Sequence, residues 1–268
     1  MASAEKVGPK ALVKGVQLLK LLAEHPPGLS LAVLAEHSDI PKPTVHRLVA
    51  ALADAGLTRF DDATGRYRLA HGVLPLASAF LEGIDLREVC VPALRKLAAE
   101  TGETCHLGVR DGIQVVYIDK SEARWPVRMY SRIGATNPLY CTSLGKALLA
   151  WSGEPLLEEV IRSGPQRRTA TTITDAQGLR EDMGRTRERG WSVDDVENEL
   201  GIRCVGAPVF DWEGKVTAAM SVAGPETRMT DEALDRMGPM VRDAANRASA
   251  QLGAEVRGER SGAHRAHG

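Results

Sequence analysis

Residues 28–60 read GLSLAVLAEHSDIPKPTVHRLVAALADAGLTRF, and their layout is that of a helix-turn-helix. The spacing predicts a first helix over Leu31–His37, with Leu31, Leu34 and Ala35 apolar on one side. Ser38-Asp39-Ile40-Pro41 breaks it, and a second helix starts at Pro43 or Thr44, where proline suits the first turn. That helix repeats Val45, Leu48, Val49 and Leu52 at i, i+3, i+4 and i+7, the signature of one buried face. The face left over gathers Lys42, Thr44, His46 and Arg47 at its N-terminal end. A recognition helix presents such groups there to base edges and phosphates. Gly56 ends the helix, and Leu57–Phe60, Asp62–Gly65 and Arg66–Leu69 read as strand, turn, strand. This hairpin is a wing, with Arg59, Arg66 and Arg68 placed to meet a phosphate backbone. Two amphipathic helices around a polar turn also occur in domains that never touch DNA. The polar cluster and the basic hairpin favour the DNA reading.

Around this segment the charge is only mildly asymmetric. Residues 1–70 carry nine Lys or Arg against seven Asp or Glu, within a chain of net charge −1. Phosphate binding therefore has to come from the local cluster, not from a global field. With 268 residues, 43% of them hydrophobic, the chain can bury a sizeable core and is expected to hold two domains. No apolar run approaches the ~20 residues needed to span a bilayer, and MASAEKVGPK lacks the apolar core of a signal peptide. The product is expected in the cytoplasm, away from membranes. Cys90, Cys105, Cys141 and Cys204 lie far apart with no C-x-x-C pair, so they read as reduced structural thiols, and neither a metal nor a cofactor is implied.

Outside the reader, Lys10–Glu24 reads as a helix with Leu12, Val16, Leu19 and Leu22 or Ala23 apolar, capping that domain. A linker helix is expected over His71–Glu82, carrying Val73, Leu76, Ala77 and Phe80, and another helix from Asp85 to about Glu100, stopped by Gly102. Strands follow at Thr104–Arg110 and Ile113–Asp119, joined by the hairpin signal Asp111-Gly112, and at Val127–Ser131. Helices are expected over Ser143–Trp151 and Thr174–Arg189, the second opened by a capping box of Thr174 and Gln177. Strands Trp191–Asp195, Arg203–Phe210 and Lys215–Ala223 precede a long helix over Thr230–Leu252. Hairpin strands with helices inserted between them imply an α+β domain with an antiparallel sheet. The division is thus 1–70 for a winged helix-turn-helix domain, 71–84 for a linker helix, 85–253 for the second domain and 254–268 for a polar, aperiodic tail, expected to be disordered.

The second domain offers three candidate chemistries. Ser143-Leu144-Gly145-Lys146 matches S-x-x-K, but the partner motifs S-D-N and K-T-G are absent, so a serine-hydrolase reading fails. The same stretch is not a P-loop. It does place the unpaired amides of Ser143, Leu144 and Gly145 at a helix start, where amides and dipole attract an anion such as a carboxylate. From spacing alone, a plain cap by Thr142 or Ser143 is the better account of the stretch. Asp194, Asp195 and Glu197 form an acidic cluster that reads by default as a solvated turn, with Asp194 able to accept from a ligand hydroxyl.

Four segments then carry a resemblance: PTVHRLVAALADAGL, IGATNPLYCTSLGKALLAW, RERGWSVDDVENELGIRCVGAPVFD and VTAAMSVAGP. In this order they resemble the IclR (isocitrate lyase regulator) family of transcriptional regulators over about residues 10–252. The resemblance implies an N-terminal winged helix-turn-helix, a linker helix and a C-terminal GAF-like effector domain. It also implies a homodimer or dimer of dimers on palindromic double-stranded operator DNA, a small acidic effector, and no enzymatic activity. Matched by motif, the effector pocket would comprise Ser143, Leu144, Asp194, Ile202, Cys204 and Ser221. Ala223 departs from members that bind glyoxylate-like acids, which carry a second serine there. The wording RMYSRIG…PLYCTSLGK is similar to members tied to sugar-acid catabolism. The alternative is a small-molecule sensor or enzyme acting through the C-terminal domain without DNA binding; the polar cluster and wing arginines would then have no purpose.

Overall fold

A computed structural model describes residues 10–76, 85–122 and 131–255. The chain divides into two compact units, Met1–Gly83 and Ile84–Gly268.

In the first unit, helices α1 (Lys10–Ala23), α2 (Leu31–Ser38) and α3 (Lys42–Asp54) precede a hairpin of β1 (Thr58–Asp61) and β2 (Arg66–Leu69). Ser30 caps α2 through its hydroxyl, and Asp39 turns the chain in the left-handed region, which short polar side chains tolerate. The core is Leu18, Leu22, Leu34, Ile40, Val45 and Val49, with Leu48, Tyr67 and Leu69 packed against it. The expected stripe on α1 is shifted by one face. Gly15, Leu18 and Leu22 are buried, whereas Leu12, Val13 and Val16 are 64%, 65% and 43% exposed. Helix α1 is apolar on two sides, so periodicity alone could not choose between them. Residues 73–76 are helical, 71–72 form a turn, and Ser131 is not in a strand; the rest of the expected linker helix, residues 127–130 of the strand expected at Val127–Ser131 and most of the expected tail lie outside the described residues.

The second unit is a six-stranded antiparallel sheet between two helical layers. Its strands are β3 (Thr104–Asp111), β4 (Gln114–Ser121), β5 (Thr136–Pro138), β6 (Ser192–Asp195), β7 (Ile202–Phe210) and β8 (Val216–Pro225), in the order β5-β4-β3-β8-β7-β6. One face packs against α4 (Leu86–Thr101) and the last helix, α8 (Asp231–Gln251), through Leu94, Leu97, Leu107, Val205, Met220, Val222 and Val241. The other packs against α5 (Ser143–Trp151), α6 (Glu154–Arg162) and α7 (Ala176–Arg189), through Leu139, Leu144, Leu148, Leu157, Leu179 and Ala219. Strand β5 and helix α6 were not expected: β5 is only three residues long, whereas α6 is short but does repeat Leu156, Leu157, Val160 and Ile161 on one face, a signal that the sequence does carry. Helix α7 is capped by Asp175, whose carboxylate accepts from the Gly178 amide, so the Thr174–Gln177 capping box does not form.

Because strand side chains alternate between faces, the register fixes what looks toward α5. Thr104, Ala223, Cys204 and Asp194 stand in one row across β3, β8, β7 and β6. His106, Ser221, Gly206 and Ser192 stand in the next row on the same face. Their sequence neighbours Cys105, Val205 and Val222 point into the opposite core.

Candidate functional site

The start of α5 lies directly on these rows. Ser192 Oγ donates to the Ser143 carbonyl at 2.5 Å. A Cβ on Gly206 would sit 2.6 Å from the same oxygen, and one on Gly145 would sit 2.4 Å from Leu139 Cα. Both glycines are therefore required by close approach of backbones. Thr142 is the N-cap: its hydroxyl accepts from the Gly145 amide at 3.0 Å and donates to the Pro138 carbonyl at 2.9 Å. The cap thus takes one of the three amides expected to be open. Those of Ser143 and Leu144 have no hydrogen-bond acceptor among the described residues.

Ser143 and Leu144, the residues that carry these amides, border a small cavity of about 20 Å³ together with His106, Tyr117, Asp194, Cys204 and Ser221, among others. This is room for one water. All six expected pocket residues, Ser143, Leu144, Asp194, Ile202, Cys204 and Ser221, border it. His106, Tyr117, Thr142, Asn198 and Ala223 border it as well. Of these, His106 and Tyr117 carried no motif; strand alternation from Cys105 and Leu107, both buried in the opposite core, is the signal that could have found His106.

The electrostatics are those of a dry site. Asp194 is buried, and its Oδ1 accepts from the amides of Glu197 at 2.8 Å and Asn198 at 3.3 Å. Burial, with the nearby charge of Glu197, lifts its carboxyl to about 7 despite those two bonds. His106 donates to or accepts from Ser131 Oγ at 2.8 Å; burial, with the charge of Lys120, lowers it to about 4, so the ring is neutral at pH 7. Burial pushes the Cys141 thiol up to about 12 and the Cys204 thiol well above its ordinary value, which makes both poor nucleophiles.

The acidic cluster departs from a solvated turn. Asp194 and Glu197 are 3% and 4% exposed, and only Asp195 lies at the surface, paired with Arg203 at 2.6 Å. Lys146, the lysine of the S-x-x-K match, is fully buried. Its ammonium meets the Val193 carbonyl at 3.0 Å, Asp182 at 2.9 Å and the Glu197 carboxylate. It is an internal counter-ion rather than a base beside a nucleophile. Among the described residues, no three His, Cys, Asp or Glu side chains are placed to share a metal ion, and no helix is long and apolar enough to cross a membrane.

In the first unit, Lys42, His46 and Arg47 are exposed on the N-terminal part of α3, and Thr44 is half-buried beside them. On the wing, the pairing Arg59↔Arg68 and Asp61↔Arg66 puts all four charged residues on one face, while the rings of Phe60 and Tyr67 meet at 4.9 Å, tilted by 53°, on the other. Arg59 and Arg66 are exposed. Arg68 is half-buried and pairs with Asp61 at 3.1 Å, so its guanidinium is less available than the sequence implied.

This geometry matches known proteins in both units. The family model described as the IclR helix-turn-helix domain matches residues 11–62. The model described as the bacterial transcriptional regulator IclR C-terminal domain matches residues 78–250. The chain belongs to the IclR family. As such it is a helix-turn-helix, DNA-binding transcriptional regulator, with an α+β C-terminal domain. The HTH-type transcriptional repressor AllR of Escherichia coli K12 is 32% identical over 92% of this chain and 91% of its own length. The HTH-type transcriptional regulator KdgR of the same organism is 34% identical over 84% of this chain and 86% of its own. The crystal structure of the Agobacterium tumefaciens repressor BlcR aligns with a TM-score of 0.78 at 30% identity, covering 94% of this chain and all of that one.

Proposed function

We propose that this IclR-family regulator controls a catabolic pathway in response to a small organic acid bound between the start of α5 and the β-sheet. Residues 1–70 form the reader, 71–84 the linker helix, 85–253 the effector domain and 254–268 the tail, in a cytoplasmic protein that is not an enzyme. The observation that carries the reading is convergence on one cavity: two open amides at a helix N-terminus with Asp194 and Ser221 opposite them. The amides and dipole take the carboxylate, while Asp194 and Ser221 take a hydroxyl or keto group. The sugar-acid wording around Tyr140 supports a sugar acid as effector. A cavity holding one water must enlarge for any such ligand, so binding selects or creates a more open state, which is the means of coupling to DNA.

On the DNA side, Lys42, Thr44, His46 and Arg47 read base edges, and Arg59, Arg66 and Arg68 meet phosphates. One recognition helix reads too few base pairs to find an operator in a genome. Two are therefore paired across a two-fold axis, with half-sites ~10 base pairs apart or a multiple of that. The exposed Leu12, Val13 and Val16 face of α1 suits contact with a second copy, within a homodimer or dimer of dimers. The test combines gel shifts on the gene's upstream region with thermal shift against a panel of sugar acids and short keto acids. Arg47→Ala should weaken specific binding by ~1–3 kcal/mol, and Arg66→Ala should weaken all sequences alike and flatten the salt dependence. Ser143→Glu, which brings a like charge to the anion site, should bind operator normally and ignore the acid. Wild-type acid response in Ser143→Glu would move the effector elsewhere.

A further inference from the structure

The turn that aims Asp194 into the cavity is strained and held from several sides. Val196 lies in it at φ +58°, a conformation that is unfavourable for a β-branched residue and persists only where surroundings over-determine it. Thr171 Oγ1 donates to the carbonyls of Asp195 and Val196, each at 2.9 Å. Thr172 Oγ1 donates to the Glu197 carbonyl at 2.7 Å. From inside, the Glu197 side chain reaches Lys146, whose ammonium also binds the Val193 carbonyl at the strand end. Lys146 in turn belongs to the same first turns of α5 that present the Ser143 and Leu144 amides, its own amide bonding the Thr142 carbonyl at 2.8 Å. The two halves of the cavity are thus joined by one buried ion pair.

We propose that Glu197, clamped by Lys146, is a positioning residue for effector recognition: it holds the 194–198 turn so that two amides occupy one oxygen of Asp194 and leave the other for the ligand. This rests on the effector reading above. Among the described residues Oδ2 of Asp194 has no protein hydrogen bond, whereas Oδ1 has two. A stability role alone does not account for the layout. A buried ion pair replaced by apolar groups of similar volume is often no less stable, and Lys146 would still have Asp182 as counter-ion.

That same residual pair makes the test practicable, because Glu197→Ala removes the clamp while leaving Lys146 balanced by Asp182. With D-gluconate, a sugar acid with hydroxyl donors, as probe in calorimetry, well below the unfolding midpoint, Glu197→Ala should lose roughly tenfold or more in affinity. Glu197→Gln keeps an acceptor for Lys146 and should stay within about threefold of wild type, since hydrogen bonding survives. In the Glu197→Ala/Asp194→Asn double variant the loss should not exceed that of Asp194→Asn alone, because the clamp acts only through Asp194. Equal losses in the Ala and Gln variants, or additive losses in the double variant, would overturn the proposal. Should D-gluconate fail to bind even the wild type, the effector reading for sugar acids fails separately. The clamp is then decided by the crystal structure of Glu197→Ala. Val196 leaving the left-handed region, with Asp194 released from its two amides, supports it; an unchanged turn refutes it.

Discussion

Replacing Asp194 by asparagine should stabilise this protein increasingly as pH rises from about 4 to about 7. The carboxyl is lifted from its ordinary 3.8 to about 7, first by burial and then by the charge of Glu197. A group whose folded value is raised favours the folded state fully below the unfolded value. That advantage is lost as pH climbs through the folded one. In this window the unfolded chain releases a proton that the native state must keep or surrender at a cost. Each pH unit between the two values is worth ~1.4 kcal/mol, so the whole span approaches ~4 kcal/mol as a ceiling. Asparagine does not titrate, and its Oδ1 can still accept from the amides of Glu197 and Asn198. For a unit of this size the gap corresponds to a melting-temperature difference on the order of 10 °C near pH 7.5. It should shrink toward zero near pH 4. Thermal unfolding of both proteins followed by circular dichroism between pH 4.5 and 8.5 measures it. A gap independent of pH, or a wild type more stable at pH 8, would refute the argument that Asp194 is destabilised by burial.

Two further outcomes follow from packing. Gly206→Ala forces a Cβ against the Ser143 carbonyl and should cost ~1–3 kcal/mol in denaturant unfolding. Gly184→Ala, in the middle of α7 with open space around it, should gain ~0.5–1 kcal/mol; a loss in the second as large as in the first would show that the clash is not the cause. Val16→Glu on the exposed face of α1 should make operator binding more strongly dependent on protein concentration, and an unchanged binding isotherm would remove that face from the subunit contact.

Much of this is legible in the sequence. The buried Val45 and Val49, the exposed Lys42 and Arg47, and the hairpins at Asp62–Gly65 and Asp111–Gly112 follow from local periodicity and turn chemistry. What local pattern could not supply was the environment of charges. Asp194 and Glu197 look like a wet turn because their counter-ion is 51 residues from Glu197, and only the sheet register brings α5 over β6. The S-x-x-K match at Lys146 fails on sequence alone, but its place as a buried counter-ion stays hidden for the same reason: its partners, Val193, Asp182 and Glu197, are remote in sequence. The shifted stripe on α1 failed differently, since a helix apolar on two faces does not announce which one meets its own core.

The alternation of the sheet separates two kinds of inheritance. Residues 204, 221 and 223 look into the cavity, while their neighbours Val205, Met220 and Val222 are wedged into the opposite core. If the effector binds there, as proposed above, drift at the first set would alter what the protein senses and leave the second set, on which folding depends, untouched. A lineage could therefore trade one nutrient signal for another by single changes at such positions as Ala223, with the scaffold and its hold on DNA passed down intact.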